Sequence, residues 1–590
     1  MATFARLLSF LGPYKGRVAL LSALAALATG MTVLIPWLTG RAVDAIQDGA
    51  WDTLRLVALA VAGAGLARLV LTVSRRLIAG RVSLGVEVDL RERIHGHLLG
   101  LDLGFFDRQQ TGQLMSTATV DVQSVRFFLG YGLVFMLQST LTIVLAAVAM
   151  LLIEPSLAVI ALAPAPGVAV AARRYGTRGR PALQEVQRRI AELTADVEEN
   201  VSGVRVVKAF AREARQYARF ERSVGRVFGQ SMVATRLRAF YNPFLAFLPQ
   251  LGLAALLFAG GRRVAAGSLS LGDFTAFYAL LLMLIGPMRM LGISLGMAQR
   301  ATASGARMFE LLDRAPRITT PQAPRSLPDG AGHVELRGVE LAYEGASVPA
   351  LRGLDLDVPA GTTIALVGAT GAGKTSLVGL LSRLYDPQAG AVLLDGVDVR
   401  DLEPEALRRA VAVVDDTPFL FSATVHDNIA YARPDASREA VEQAARRAQA
   451  DGFIRELPEG YDTGVGERGL TLSGGQRQRL AIARALLADP RVLVLDAATS
   501  SVDASTEQQI KAALAEAGTG GPSPSVPGRT TFLIAHRMST IALADEVAVL
   551  EAGRVAARGT HEELLELSPL YREIVEQELS ESPAAVELAS

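Results

Sequence analysis

The chain has 590 residues, half of them apolar, and a mean hydropathy of +0.30, so it is too long for one ordinary globular domain and too apolar for a soluble protein of this size. Its 59 basic side chains balance 59 acidic ones and no arginine-rich or aromatic-interleaved arm stands out, which excludes nucleic acid as a partner class. The absence of cysteine excludes disulfides, thiolate metal sites and thiol nucleophiles.

The first element in chain order is Val18–Trp37, an apolar run without a charged side chain. At ~1.5 Å per residue it is long enough to cross a ~30 Å hydrocarbon layer. Its apolar core is too long for a signal peptide, and further spans follow. Comparable runs at Leu56–Val73, Tyr131–Ile153, Leu157–Ala172, Pro243–Ala259 and Phe274–Met297 predict six spans in all. Long polar segments with helical periodicity separate the second span from the third and the fourth from the fifth. They carry Arg81, Arg91 and Arg93, then Arg188, Arg189, Arg205 and Arg212. By the positive-inside bias both segments are expected in the cytoplasm, as are both termini, although Arg262 and Arg263 in an external loop run against the bias. Arg68 and Arg289 fall inside spans, where charge is costly, so they either mark a substrate path or snorkel from helix ends.

After Leu312 the composition changes, and Arg314–Gly332 reads as a linker rich in Pro, Gly and polar residues. The expected organisation is an all-α six-helix membrane domain over residues 1–315 and a linker over 316–330. An α/β nucleotide-binding domain follows over 331–575, with a flexible tail over 576–590. Within the third of these, the β-type run Thr363–Val367 leads into Gly368-Ala-Thr-Gly371-Ala-Gly373-Lys374-Thr375 and then a helical stretch from Ser376. This is a phosphate-cradling loop in its expected strand–loop–helix context. The glycines let backbone N–H groups close around phosphates, Lys374 supplies positive charge, Thr375 offers a hydroxyl to Mg²⁺, and the helix N-terminus adds its dipole. Lys374 is one of only four lysines, with Lys15, Lys208 and Lys511.

Leu472-Ser473-Gly474-Gly475-Gln476 opens a further helical run, and the strand Val492–Leu495 ends in Asp496. With these motifs the chain resembles the ATP-binding cassette transporter superfamily, in its exporter class with six spans ahead of one cassette. The resemblance extends to Phe105-Phe106-Asp107, Thr111-Gly112 and Ser202–Phe210, and so covers nearly the whole chain. It implies ATP and Mg²⁺ as ligands. Tyr343 would stack on adenine, and Asp496 would hold Mg²⁺ through water. Ser473, Gly474, Gly475 and Gln476 would face the γ-phosphate of ATP bound on a partner cassette. Asp503 would join the two sites and His536 would sense the γ-phosphate. Segments around Ser116–Val122 and Phe210–Glu213 resemble the coupling helices that dock on cassettes.

Two residues depart from the family pattern. Ala497 stands where the family has the glutamate that polarises the attacking water, and Asp416 stands where it has a glutamine that contacts the γ-phosphate. A methyl group neither accepts a proton nor orients water, so this chain's own site is expected to bind ATP and hydrolyse it slowly. Asp416 has an oxygen for Mg²⁺ but repels the γ-phosphate. The favoured expectation is therefore one half of a heterodimeric exporter in a bacterial plasma membrane, which uses ATP to export a hydrophobic or amphipathic substrate across it by alternating access. The alternatives are an engineered, hydrolysis-deficient homodimer, a regulatory non-transporting half, and an importer on the same scaffold. The apolar spans suit lipids, drugs and peptides equally well.

Overall fold

The structure is a computed structural model that describes residues 2–469, 471–496, 529–535 and 537–581. It divides into two units, Met1–His97 with Gly112–Arg314, and Leu98–Thr111 with Ala315–Ser590. Among the described residues, six helices are long and apolar enough to cross a membrane. They are α1 (Gly12–Gln47), α2 (Trp51–Gly100), α3 (Thr111–Ile153), α4 (Pro155–Ser202), α5 (Glu213–Ala265) and α6 (Leu271–Leu312). A helix satisfies its own backbone polar groups, which is what hydrocarbon demands of a spanning segment.

Close packing in the helical unit depends on small residues. Where α1 crosses α6, a Cβ added to Gly40 would lie 2.4 Å from the Gly272 carbonyl oxygen, and one added to Gly272 would lie 2.1 Å from that of Gly40. Asp44 secures the crossing by accepting from the Gly272 N–H at 2.7 Å and the Ser270 hydroxyl at 3.0 Å. Elsewhere in the unit, buried Ala146, Met150, Leu157, Leu256, Phe277 and Leu280 form one cluster joining α3, α4, α5 and α6.

The segment Ser116–Val122, expected as a coupling helix, instead lies within α3, where Thr117–Asp121 forms a π-helical turn. The short independent helix is Leu103–Phe106, and it belongs to the second unit. Hydropathy and periodicity continue smoothly through both segments, so neither distinguishes them. The other expected coupling segment, Phe210–Glu213, falls at the break between the short helix Val204–Ala209 and α5, with Phe210 exposed.

The second unit carries two sheets. The first has the order β2-β1-β4-β5, from β1 (Val334–Leu341), β2 (Leu351–Val358), β4 (Ala389–Leu394) and β5 (Val397–Asp398), all paired antiparallel. The second has the order β10-β9-β3-β8-β7-β6. Its strands are β3 (Thr363–Val367), β6 (Val411–Val414), β7 (Val492–Asp496), β8 (Thr530–Ile534), β9 (Glu546–Glu551) and β10 (Arg554–Gly559). Its central pairings β9–β3, β3–β8, β8–β7 and β7–β6 are all parallel, so these strands end at one edge of the sheet. Ile364, Ala365, Leu366, Val492 and Val494 are almost wholly buried, as the continuous apolar runs of a covered parallel sheet require. In open α/β sheets, ligands bind outside the carboxyl ends of the strands.

Candidate nucleotide site

β3 ends at Val367 and the chain turns through Gly368–Gly373 into the helix α7 (Lys374–Leu381). Two of the turn's glycines have no substitute. Gly368 has φ +148° and Gly373 φ +105°, and a Cβ on them would lie 2.2 Å from the Leu550 oxygen and 2.8 Å from the Ala350 oxygen, respectively. The turn folds over Lys374, whose Nζ donates to the carbonyls of Gly368 at 2.7 Å and Ala369 at 3.1 Å. Burial pushes the Lys374 ammonium below the ordinary lysine pKa, while Asp496 pulls it back up.

The parallel register supplies the rest. Asp496 ends β7, and the Thr375 hydroxyl at the start of α7 donates to its Oδ2 at 3.3 Å. Val414 pairs with Leu495, so Asp415 and Asp416 leave β6 next to the point where Asp496 ends β7. The Asp416 side chain accepts from the Thr417 hydroxyl at 2.7 Å, and the amide of buried Gln478 holds the Asp416 carbonyl at 3.3 Å. Tyr343 is tied to the same helix, its hydroxyl 2.9 Å from Ser376 Oγ.

Mg²⁺ suits this donor set. Among the described residues, no group of three His, Cys, Asp or Glu side chains is placed to hold a metal. Thr375 and Asp496 offer hard oxygens, and Mg²⁺ characteristically takes one or two such ligands and completes its shell with phosphates and water. When bound, it would neutralise charge on the transferring phosphate.

Ser473–Gln476 stand apart from this constellation, and no hydrogen bond joins them to residues 368–376. Ser473 caps the helix α8 (Gly474–Ala488) in a capping box, with the Gln476 N–H donating to Ser473 Oγ at 3.2 Å and the Ser473 N–H to Gln476 Oε1 at 2.9 Å. The cap leaves an exposed helix N-terminus, a standard anion-binding element. Ala497, Asp503 and His536 lie outside the described residues.

Three positioning contacts escaped the sequence reading. The Tyr385 hydroxyl donates to Asp107 at 2.7 Å, its ring meets Tyr343 edge-on at 5.3 Å, and Arg108 pairs with Glu344 at 2.7 Å. Burial first, and then the Asp107 carboxylate, push the Tyr385 phenol pKa upward. Phe105-Phe106-Asp107 had been noted as a motif, but nothing local to it names Tyr385 as its partner.

Residues 18–288 match the family model described as ABC transporter transmembrane region, and residues 351–500 match the one described as ABC transporter. The ABC transporter ATP-binding protein YknU of Bacillus subtilis is 37% identical over 581 residues, 97% of each chain. The chain belongs to the ABC transporter family. An ATP-dependent lipid A-core flippase of Syntrophus aciditrophicus is 34% identical to the transporter over 589 residues, covering 100% of it and 96% of the flippase. A bacterial Atm1-family ABC exporter solved with ATP bound superposes with a TM-score of 0.79 at 30% identity, covering 96% of the transporter and 99% of that chain. The transporter is thus an integral membrane exporter whose ATPase unit drives transport, and exporters of this kind work as dimers.

Proposed function

We propose that this chain is one half of a heterodimeric ATP-driven exporter, that its own phosphate loop binds ATP without efficient turnover, and that its signature completes the working site on a partner chain. The reading rests on Ala497, which follows Asp496 where a general base belongs. Asp416 supports it by adding a carboxylate near Asp496, where the γ-phosphate would lie. Loss of a general base typically costs ~10²–10⁴ in rate. Two departures in one site fit natural retirement of that site better than a single engineered change does.

Lys374 and the loop amides bind the phosphates, Thr375 and Asp496 hold Mg²⁺, and Tyr343 takes the adenine. Ser473, Gly474, Gly475 and Gln476 close on the partner's γ-phosphate, Asp503 links the two sites, and His536 reports the phosphate's presence. ATP favours the closed dimer by its differential affinity for that state, and closure turns the membrane cavity outward. The termini and the nucleotide unit lie on the cytoplasmic side of a bacterial membrane. The flippase relative suggests an amphiphilic cargo taken from the bilayer.

Restoring the base tests the reading. In the purified dimer, Ala497→Glu should raise steady-state ATPase by less than about tenfold, because Asp416 still opposes the phosphate. A gain above about a hundredfold would instead mean a site intact but for one residue, and would overturn the retired-site reading.

A further inference from the structure

Three arginines of α2 gather at one cavity of the helical unit. Arg68, Arg75 and Arg76 line a space of about 330 Å³ between α1, α2, α3 and α6, together with Gln138, Ser139 and Thr142 of α3. Arg75 is only 6% exposed and donates to Gln138 Oε1, while Arg68 and Arg76 have no hydrogen-bond or ion-pair partner among the described residues. No carboxylate can neutralise them from the surrounding helices. The sequence holds no Asp or Glu over residues 12–43 of α1, 53–86 of α2, 122–153 of α3 or 274–309 of α6. Arg75 is buried while Arg68 and Arg76 are exposed to this space, and three guanidinium groups at membrane depth without a carboxylate nearby suit a visiting ligand of opposite charge.

A second cavity of about 330 Å³ adjoins the first, sharing Arg75, Arg76 and Phe135. Its other walls are Ala79, Phe127, Tyr131 and Val134. The rings form a ladder, Phe127 to Tyr131 at 5.5 Å and Tyr131 to Phe135 at 6.4 Å. A cationic, hydroxyl-bearing compartment thus opens onto an aromatic one, with two arginines at the boundary.

We infer that the cargo is an amphiphile with an anionic head, phosphate or carboxylate, whose head is held by Arg68, Arg75 and Arg76 and whose apolar part lies along Phe127, Tyr131 and Phe135. This inference rests on the export reading for its direction and names the substrate class of that activity. Guanidinium is the group suited to it, because its fork matches the oxygens of phosphate and carboxylate. Gln138 leaves most of the Arg75 N–H groups available and fixes the plane in which they point.

The test is equilibrium binding of radiolabelled dodecyl phosphate to the nucleotide-free transporter dimer in phosphatidylcholine nanodiscs, with empty discs subtracted. Dodecyl phosphate should bind at least tenfold tighter than dodecyltrimethylammonium or inorganic phosphate. The double variant Arg68→Gln, Arg76→Gln keeps the Arg75–Gln138 bond and should weaken binding at least tenfold. Charge reversal by Arg76→Glu should move the preference toward dodecyltrimethylammonium, which a merely structural role for Arg76 would not do. Unchanged affinity in the double variant, or inorganic phosphate binding as tightly as dodecyl phosphate, would overturn the inference. Proteoliposomes separate it from the export reading. Arginine-dependent binding without ATP-dependent movement would overturn export and keep the site, whereas movement that survives the double variant would overturn the site and keep export.

Discussion

Lys374 is poised by its surroundings, because burial in its own loop disfavours the charged form while bound phosphates would favour it. The free-state pKa lies below the ordinary lysine value and the nucleotide-bound pKa must lie above the free one, so binding takes up protons between the two. ATP affinity is therefore expected to be full below the free-state pKa and to fall as pH rises through it. Titrating equilibrium ATP binding across the alkaline range checks this, and a pH-independent affinity would contradict it. Lys374→Ala should remove the dependence and weaken ATP binding by about a hundredfold or more, since charge-assisted contacts to phosphate are strong. The strand–turn–helix form of this loop was legible before the fold was known, because a phosphate loop concentrates its signal in consecutive residues. The contact of Gln478 with the Asp416 carbonyl was not, since its partners are brought together only by the sheet.

Helices that cross at backbone contact tolerate no side chain between them. Gly272→Ala would place a methyl group against the Gly40 carbonyl, and overpacking of this kind typically costs ~1–3 kcal/mol. The expected outcome is a lower thermal unfolding midpoint of the detergent-solubilised transporter, whereas Ala substitution at mid-helix Gly63, with nothing within 4 Å, should not lower that midpoint. The segment Leu98–Thr111 makes a different demand, since it continues α2 and α3 in the chain yet packs within the cassette unit. Tyr385→Phe removes its hydrogen bond to Asp107 at a cost of ~1.5–3 kcal/mol for a bond to a charged partner. Cargo-stimulated ATPase should fall severalfold while ATP affinity stays near that of the parent, and equal stimulation would show that the contact carries no coupling. The six spans were readable because each is a local run of apolar residues. The Asp107–Tyr385 contact was not, because its partners lie 278 positions apart and share no periodicity.

At the scale of the whole assembly, the proposed working site combines motifs from two chains, and among the described residues this chain's signature makes no hydrogen bond to its own phosphate loop. Ser473→Arg, expressed with the partner chain, should nearly eliminate ATPase, because a long cation would fill the space meant for the partner's γ-phosphate. A rate unchanged by that substitution would mean that the signature completes no working site. The capping box gives this closure a further property. The Gln476 amide already has an acceptor in Ser473 Oγ, so a phosphate that recruited the amide would exchange one hydrogen bond for another rather than fill an idle donor. Such a clamp grips by charge more than by bond count, and once the phosphate departs the hydroxyl returns to its place. The Gln476 backbone N–H therefore has a partner with or without the phosphate, so what would separate the closed dimer is loss of the bridging phosphate itself.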